Sequence, residues 1–168
     1  PGPYQQVMYV LEKCYVDCGW AAYAYVNSWN SVYQSSYYYM VGVQMHEIGH
    51  NFNLAHSGGL NGQTYTDHTG YMGNPCYSDD GCAMCFNPAK SFQLGWYDDR
   101  VETIDPTETP DVSKRIIGVA DYDNNPNNYP VVIKIESGGS TDYFVGFNRA
   151  TGVNVGNVLA RCIHLSRI

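Results

Sequence analysis

Three histidines within eleven residues, His46-Glu47-Ile48-Gly49-His50-Asn51-Phe52-Asn53-Leu54-Ala55-His56, restrict the structures open to this chain more than any other segment. In a helix, residues four apart lie on one face about one turn from each other, so His46 and His50 can offer ring nitrogens to a single ion. Glu47 sits beside them, where a carboxylate can take a proton from water that a zinc ion has acidified to a pKa of about 7. The third ligand cannot come from a continuing helix, because His56 lies six residues past His50 and too far round. The spacing therefore predicts a sharp chain reversal between them, placed at Asn53.

The three-histidine metalloprotease pattern carries Gly at the position of Asn53, where the helix ends in a left-handed residue that a β-carbon disfavours. Asn is the usual second choice, since its short amide bonds locally and it visits that region more readily than other non-glycine residues. The run resembles the long motif of the metzincins, zinc endopeptidases in which a methionine-containing turn underlies the metal. Met72 is the candidate for that turn. It lies in His68-Thr69-Gly70-Tyr71-Met72-Gly73-Asn74, flanked by two glycines as a tight bend requires, whereas its rival Met84 has a less turn-like setting between Cys82 and Cys85.

Within the metzincins the chain is most similar to gametolysin, the algal cell-wall-lysing protease, and its secreted relatives. Cys18-Gly19-Trp20, the motif from His46 to Ser57, Gly70-Tyr71-Met72-Gly73, and Cys85-Phe86-Asn87 leading to Gln93-Leu94-Gly95-Trp96-Tyr97 carry the likeness, with a weaker echo at Val145–Gly152. Ser57 after the third histidine also resembles the matrixins. No Tyr follows two residues after Met72, so the tyrosine ligand of some other metzincins is unmatched. The resemblance implies zinc held by His46, His50 and His56 with Glu47 as catalytic base. It also implies that Ala22, Tyr23, Ala24, Tyr25 and Val26 form the upper rim of the cleft, an edge strand that pairs with an extended substrate; an ordinary interior strand is the alternative.

The expected architecture is α+β. Residues 1–98 form a metzincin-like catalytic region with a truncated upper sheet, an active-site helix, the methionine turn and a following helix; residues 99–168 form a small antiparallel β subdomain. Val7 to Glu12 reads as a short buried strand and Trp20 to Val26 as a second. Tyr37 to Asn53 reads as the helix, with Val41, Met45, Ile48 and Phe52 at helical spacing as its core face. Gly49 costs about 1 kcal/mol of helix propensity there, which points to close packing. Asn87-Pro88 supplies a cap and a first-turn proline for a helix to about Gly95. Beyond Asp98, prolines punctuate apolar runs at 115 to 120, 130 to 136 and 143 to 147, expected to be antiparallel strands that buttress the catalytic part.

His68 and His164 lack partners at ligand spacing and read as locally bonded or solvated. Asp67, near the methionine turn, is a candidate to orient a ligand imidazole. Cysteines at positions 14, 18, 76, 82, 85 and 162 suggest up to three disulfides, with fifteen connectivities open. Among Cys14, Cys18, Cys76, Cys82, Cys85 and Cys162, Cys82-Ala-Met-Cys85 has the spacing of half a structural zinc site, but Cys14-x-x-x-Cys18 makes a poor second half, and no βαβ context supports a redox pair.

Nine Lys and Arg against 16 acids give a net charge of −7, which argues against nucleic acid or an anionic membrane as partner. No apolar run approaches the roughly twenty residues that span a bilayer. The chain opens Pro1-Gly2-Pro3 with neither initiator Met nor signal peptide, so a processed product with part of its domain upstream is expected. The 16 tyrosines would suit a sugar-bearing or proline-rich protein, though Tyr-rich cores explain them equally. The expectation is thus a secreted, Zn2+-dependent endopeptidase acting on extracellular or cell-wall proteins or glycoproteins. Its competitor is a catalytically silent structural or adhesive protein that retains the scaffold.

Overall fold

The computed structural model describes residues 4–12, 18–58, 63–74, 83–155 and 163–167. Its elements are mixed α and β. A three-stranded sheet of β1 (Val7–Leu11), β2 (Ala22–Ala24) and β3 (Asn30–Gln34) runs in the order β1-β3-β2. The middle strand is parallel to β1, with Tyr9 opposite Val32, and antiparallel to β2, with Tyr23 opposite the same Val32. Helix α1 (Val41–Asn51) follows, then α2 (Pro88–Gln93) and a second sheet of β4 (Val101–Ile104), β5 (Val132–Ile135), β6 (Tyr143–Phe147) and β7 (Ile163–Arg167) in chain order.

Several expectations change. The run at Val7 does form a strand, but Met8 to Leu11 are exposed rather than buried, because among the described residues β1 lies at the sheet edge with β3 as its one strand neighbour. The buried strand is instead β3, whose Ser31, Val32, Tyr33 and Gln34 all lie inside. Helix α1 begins at Val41 because Tyr37 to Met40 close a turn, Tyr37 N–H donating to Gln34 O at 2.9 Å and Met40 N–H to Tyr37 O at 3.1 Å.

Nor is the helix's buried side its apolar stripe. Val41 and Phe52 are exposed and Met45 and Ile48 half-buried, while Gly42, Val43, His46, Glu47, Gly49, His50 and Asn51 are buried. Polar groups can occupy the inner face when partners await them. Asn51 shows this, donating through Nδ2 to Tyr25 O and Asn30 O at 3.1 and 3.0 Å and so tying the helix to the first sheet.

The second sheet is mixed rather than antiparallel throughout. Strand β4, unforeseen, pairs parallel with β5, and only the β5–β6 and β6–β7 pairs are antiparallel. Residues 115 to 120 form no strand. Ile117 N–H reaches Pro130 O at 3.1 Å and the chain then coils into a 3-10 turn at Val119–Asp121, carried there with Gly118 extended beforehand.

Two apolar clusters hold these parts. Leu54, Tyr71, Met72, Met84 and Phe86, with Met45 and Leu94 against them, pack beneath α1. Ala89, Val131, Val132 and Phe144 join α2 to the second sheet. Each large apolar side chain so buried contributes about 1.5–3 kcal/mol. Helix α2 starts as Asn87-Pro88 predicts: the Asn87 side chain accepts from Lys90 N–H at 2.9 Å and proline occupies the first turn. Phe92 packs on Phe144 with ring centres 4.9 Å apart. Pro88 lies so close to Gly146 that no β-carbon would fit there.

Of the cysteines, Cys14, Cys76, Cys82 and Cys162 lie outside the described residues, and Cys18 is disulfide-bonded. Cys85 is a free thiol, so the six cannot all pair as three disulfides. Half-buried, it donates its N–H to Asn154 Oδ1 at 2.7 Å, and burial raises its thiol pKa.

Candidate metal centre

Helix α1 ends in a motif that aims the third histidine. Asn53 adopts φ +68°, the left-handed conformation expected of it. Leu54 N–H reaches back to Gly49 O at 3.0 Å and Asn53 N–H to His50 O at 2.9 Å, the paired bonds of a Schellman ending. Wholly buried Leu54 anchors the turn, and the chain leaves in the direction that brings His56 back. One ligand nitrogen from each of His46, His50 and His56 lies within 4.8 Å of the others.

Hydrogen bonds fix what these rings present. His46 Nδ1 lies 2.6 Å from Tyr71 O, and His50 Nδ1 lies 2.8 Å from Leu54 O. A carbonyl only accepts, so each Nδ1 carries the hydrogen and each Nε2 keeps its lone pair. Carbonyls, not a carboxylate, thus orient the imidazoles. Asp67 is engaged elsewhere, its Oδ1 accepting from Thr69 N–H and its Oδ2 from Asn87 Nδ2, both at 2.8 Å.

The remaining contacts test whether a cation suits the cluster. His56 Nε2 lies 3.0 Å from His50 Nε2 and also 3.0 Å from the Tyr65 hydroxyl. It cannot donate its one hydrogen to His50 and simultaneously accept from Tyr65. A divalent cation removes the conflict by taking the lone pairs. Two nitrogens about 2.0–2.1 Å from a tetrahedral zinc stand about 3.3 Å apart, close to the separation found here. Burial and the neighbouring imidazoles push His46 down to about 4, burial and then His50 and Lys90 push His56 to about 4, and burial lowers His50 as well. All three are therefore neutral, as ligands must be, at neutral pH.

Glu47 is buried beside them. Its Oε2 has no hydrogen-bond partner among the described residues, and burial raises its carboxyl to about 7. An orphaned carboxylate oxygen in a polar cleft is a group awaiting a ligand, cation or water. A cavity of about 430 Å³ opens onto it, lined by His46, Glu47, Val43 and Tyr65 on one side and Trp20, Ala21 and Ala22 on the other.

Met72 lies under the helix. Gly73 N–H closes a turn onto Gly70 O at 3.1 Å, Met72 O accepts from Ser57 N–H at 2.7 Å, and the Met72 sulfur presses on Gly49, where a β-carbon would come within 3.0 Å of it. The close packing predicted at Gly49 is therefore against Met72, with Met84 in the same cluster farther from the helix glycine.

Of the five residues proposed for the cleft rim, Ala22, Tyr23 and Ala24 form the edge strand β2; Tyr25 and Val26 lie past its end. Only Ala22 among them lines the cavity. His68 stands outside the imidazole cluster, and the side chain of His164 lies outside the described set. The residue that sequence reading missed is Tyr65, in a Gly/Asn/Asp-rich loop without period and without any spacing relation to the histidines. Only the folded chain brings it to His56, with ring centres 4.3 Å apart.

The family model of gametolysin peptidase M11 matches residues 3–129, a stretch that contains every residue of this centre. No curated protein and no solved structure matches the chain.

Proposed function

From the premise that this chain belongs to the gametolysin peptidase M11 family, we propose that it is a secreted zinc endopeptidase with a metzincin-like cleft, acting on extracellular or cell-wall proteins and glycoproteins. The convergence of His46, His50 and His56 lone pairs beside the unpartnered Glu47 carboxylate is the observation that carries the reading. A bound Zn2+ supplies Lewis acidity, lowering the pKa of water to about 7 and polarising the scissile carbonyl.

The protein's own groups do the rest. Tyr71 O and Leu54 O hold the two helix imidazoles in register, and the Asn53 turn delivers the third. Glu47 accepts the proton of the attacking water and passes it to the departing amine, a transfer that suits a carboxyl whose pKa burial has brought to about 7. Among the described residues strand β2 has β3 on one side only, which leaves its other edge for an extended substrate to join. Trp20 to Ala22 and Val43 wall the same cavity and give substrate side chains an apolar surface.

The test is proteolysis of gelatin or casein by the metal-loaded protein, by the chelated protein and by Glu47→Gln. Hydrolysis lost on chelation and restored by zinc, with zinc still bound but no hydrolysis in E47Q, is the expected outcome. Cleavage by E47Q at the parent rate contradicts the role of Glu47. A protein that binds zinc yet cleaves no substrate supports instead the silent scaffold.

A further inference from the structure

We propose that Tyr65 is a fourth protein ligand of the metal centre, its phenol oxygen joining the three imidazoles on the cation; this rests on the metal-site reading above. Three observations point there. The hydroxyl lies 3.0 Å from His56 Nε2, the same nitrogen that approaches His50 Nε2, so an oxygen already stands within the cluster of ligand atoms. The ring lies against His56 at 4.3 Å and near His46 at 6.0 Å, nearly parallel to the latter at 28°. Tyr65 also sits at φ +65°, a left-handed conformation uncommon for a bulky non-glycine residue.

Lone-pair accounting turns this proximity into a role. His46 and His50 spend their Nδ1 hydrogens on carbonyls, so both Nε2 atoms can only accept, and a cation takes those lone pairs together with that of His56. The Tyr65 hydroxyl then has no acceptor left on His56. Its oxygen keeps lone pairs, faces the same locus and is oriented by the loop. Coordination follows by breaking the phenol O–H bond, with the proton passing to solvent and the electron pair to the metal. Tyr65 also lines the cavity, so this ligand would border the space open to substrate. A harder, anionic oxygen donor added to three imidazoles raises affinity for a divalent ion.

Copper(II) and zinc, each added alone to the chelator-stripped chain, read the ligand set without reference to activity. One equivalent of copper(II) should give the parent a visible phenolate-to-copper charge-transfer band. Zinc should give it a tyrosinate difference absorption in the ultraviolet. Tyr65→Phe, which keeps the ring and removes only the oxygen of an exposed residue, should bind one equivalent but lose both signals, with zinc affinity weakened by about 10–100-fold in chelator competition. An unchanged circular dichroism spectrum shows that this variant is folded; if it is not, the parent's own two signals decide the matter. A parent that binds one equivalent of metal without either signal, or Y65F that retains them, overturns the role of Tyr65 while leaving the three-histidine site intact. A parent that binds no metal overturns both.

Discussion

Gly49→Ala isolates the contact between helix α1 and the methionine beneath it. In an exposed helix interior this change stabilises by about 1 kcal/mol through propensity alone. Here the new methyl would come within 3.0 Å of Met72 Sδ and 3.2 Å from Phe86 Cε1. A methionine can ordinarily swing aside, but Met72 is 1 % exposed and boxed by Leu54, Tyr71 and Phe86, so the shift must spread through the cluster. Overpacking of a tight core costs about 1–3 kcal/mol, and the upper end fits so close an approach. The net expectation is destabilisation by about 2 kcal/mol, a fall in Tm of roughly 4–8 °C at this chain length. Unfolding of the parent, G49A, Met72→Ala and the double variant in chelating buffer measures it. Removing the sulfur should erase the clash and leave only the propensity gain, so the double variant should be about 3 kcal/mol more stable than additivity predicts. G49A should also bind zinc more weakly, since Tyr71, adjacent to Met72, supplies the carbonyl that orients His46. A G49A protein as stable as the parent, or additivity within about 0.5 kcal/mol, refutes the packing argument.

Glu47 also sets a pH dependence in the metal-free protein. Its folded pKa, raised to about 7 from 4.5, means that between those values the unfolded chain has already lost a proton that the folded one keeps, so stability falls as pH rises through that window. Glu47→Gln removes the effect: the variant and the parent should match below pH 4.5, and the variant should be more stable above pH 7 by about 3 kcal/mol, read from denaturant midpoints in chelating buffer. A difference that does not vary with pH would refute it. His46 acts oppositely. With a folded pKa of about 4 against 6.5, it costs the E47Q protein stability as pH falls from 6.5 towards 4, so that variant's stability should rise monotonically with pH across this range. Asn87→Ala removes the cap of α2 and the amide that serves Ser57 Oγ and Asp67 Oδ2. A loss of about 2–3 kcal/mol is expected in thermal unfolding, and a change under about 0.5 kcal/mol would show that the clamp is dispensable.

The three-histidine cluster is more legible in the sequence than the fold around it, for a physical reason. Histidine spacing and the left-handed Asn53 are local facts, set by helix geometry and backbone sterics within a few residues. The buried face of α1 was misread because amphipathic reasoning assigns Val41 and Phe52 to the core, whereas the polar face is buried against carbonyls donated by Tyr71 and Leu54 that no periodicity announces. Strand β3 escaped because Asn, Ser and Gln surround its Val32 and Tyr33, and their inward burial depends on partners such as Trp20 O for the Gln34 amide. Tyr65 could not be found by spacing at all. It lies nine positions past His56 in the sequence, with no spacing rule linking the two, and only tertiary structure brings them together.

Because carbonyls rather than side chains orient the helix imidazoles, the precision of the centre is inherited from loops, and loops need anchoring from outside. Tyr71 and Met72 hang from a turn whose neighbours are held by Asn87, which donates to Ser57 and Asp67 at once. Asn87 in turn opens α2, and α2 rests on the second sheet through Phe92 and Phe144 and through Pro88 against Gly146. Asn148 and Asn154, both buried, donate to Phe86 O and accept from Cys85 N–H. Phe86 is the residue that, with Met72, leaves space under α1 only for glycine at position 49. The described residues beyond 98 therefore bear on the three histidines through these contacts: a packing defect at Gly146 or Asn154 should be felt as a loosened His46 carbonyl, and so as weaker metal binding, before it is felt as loss of fold.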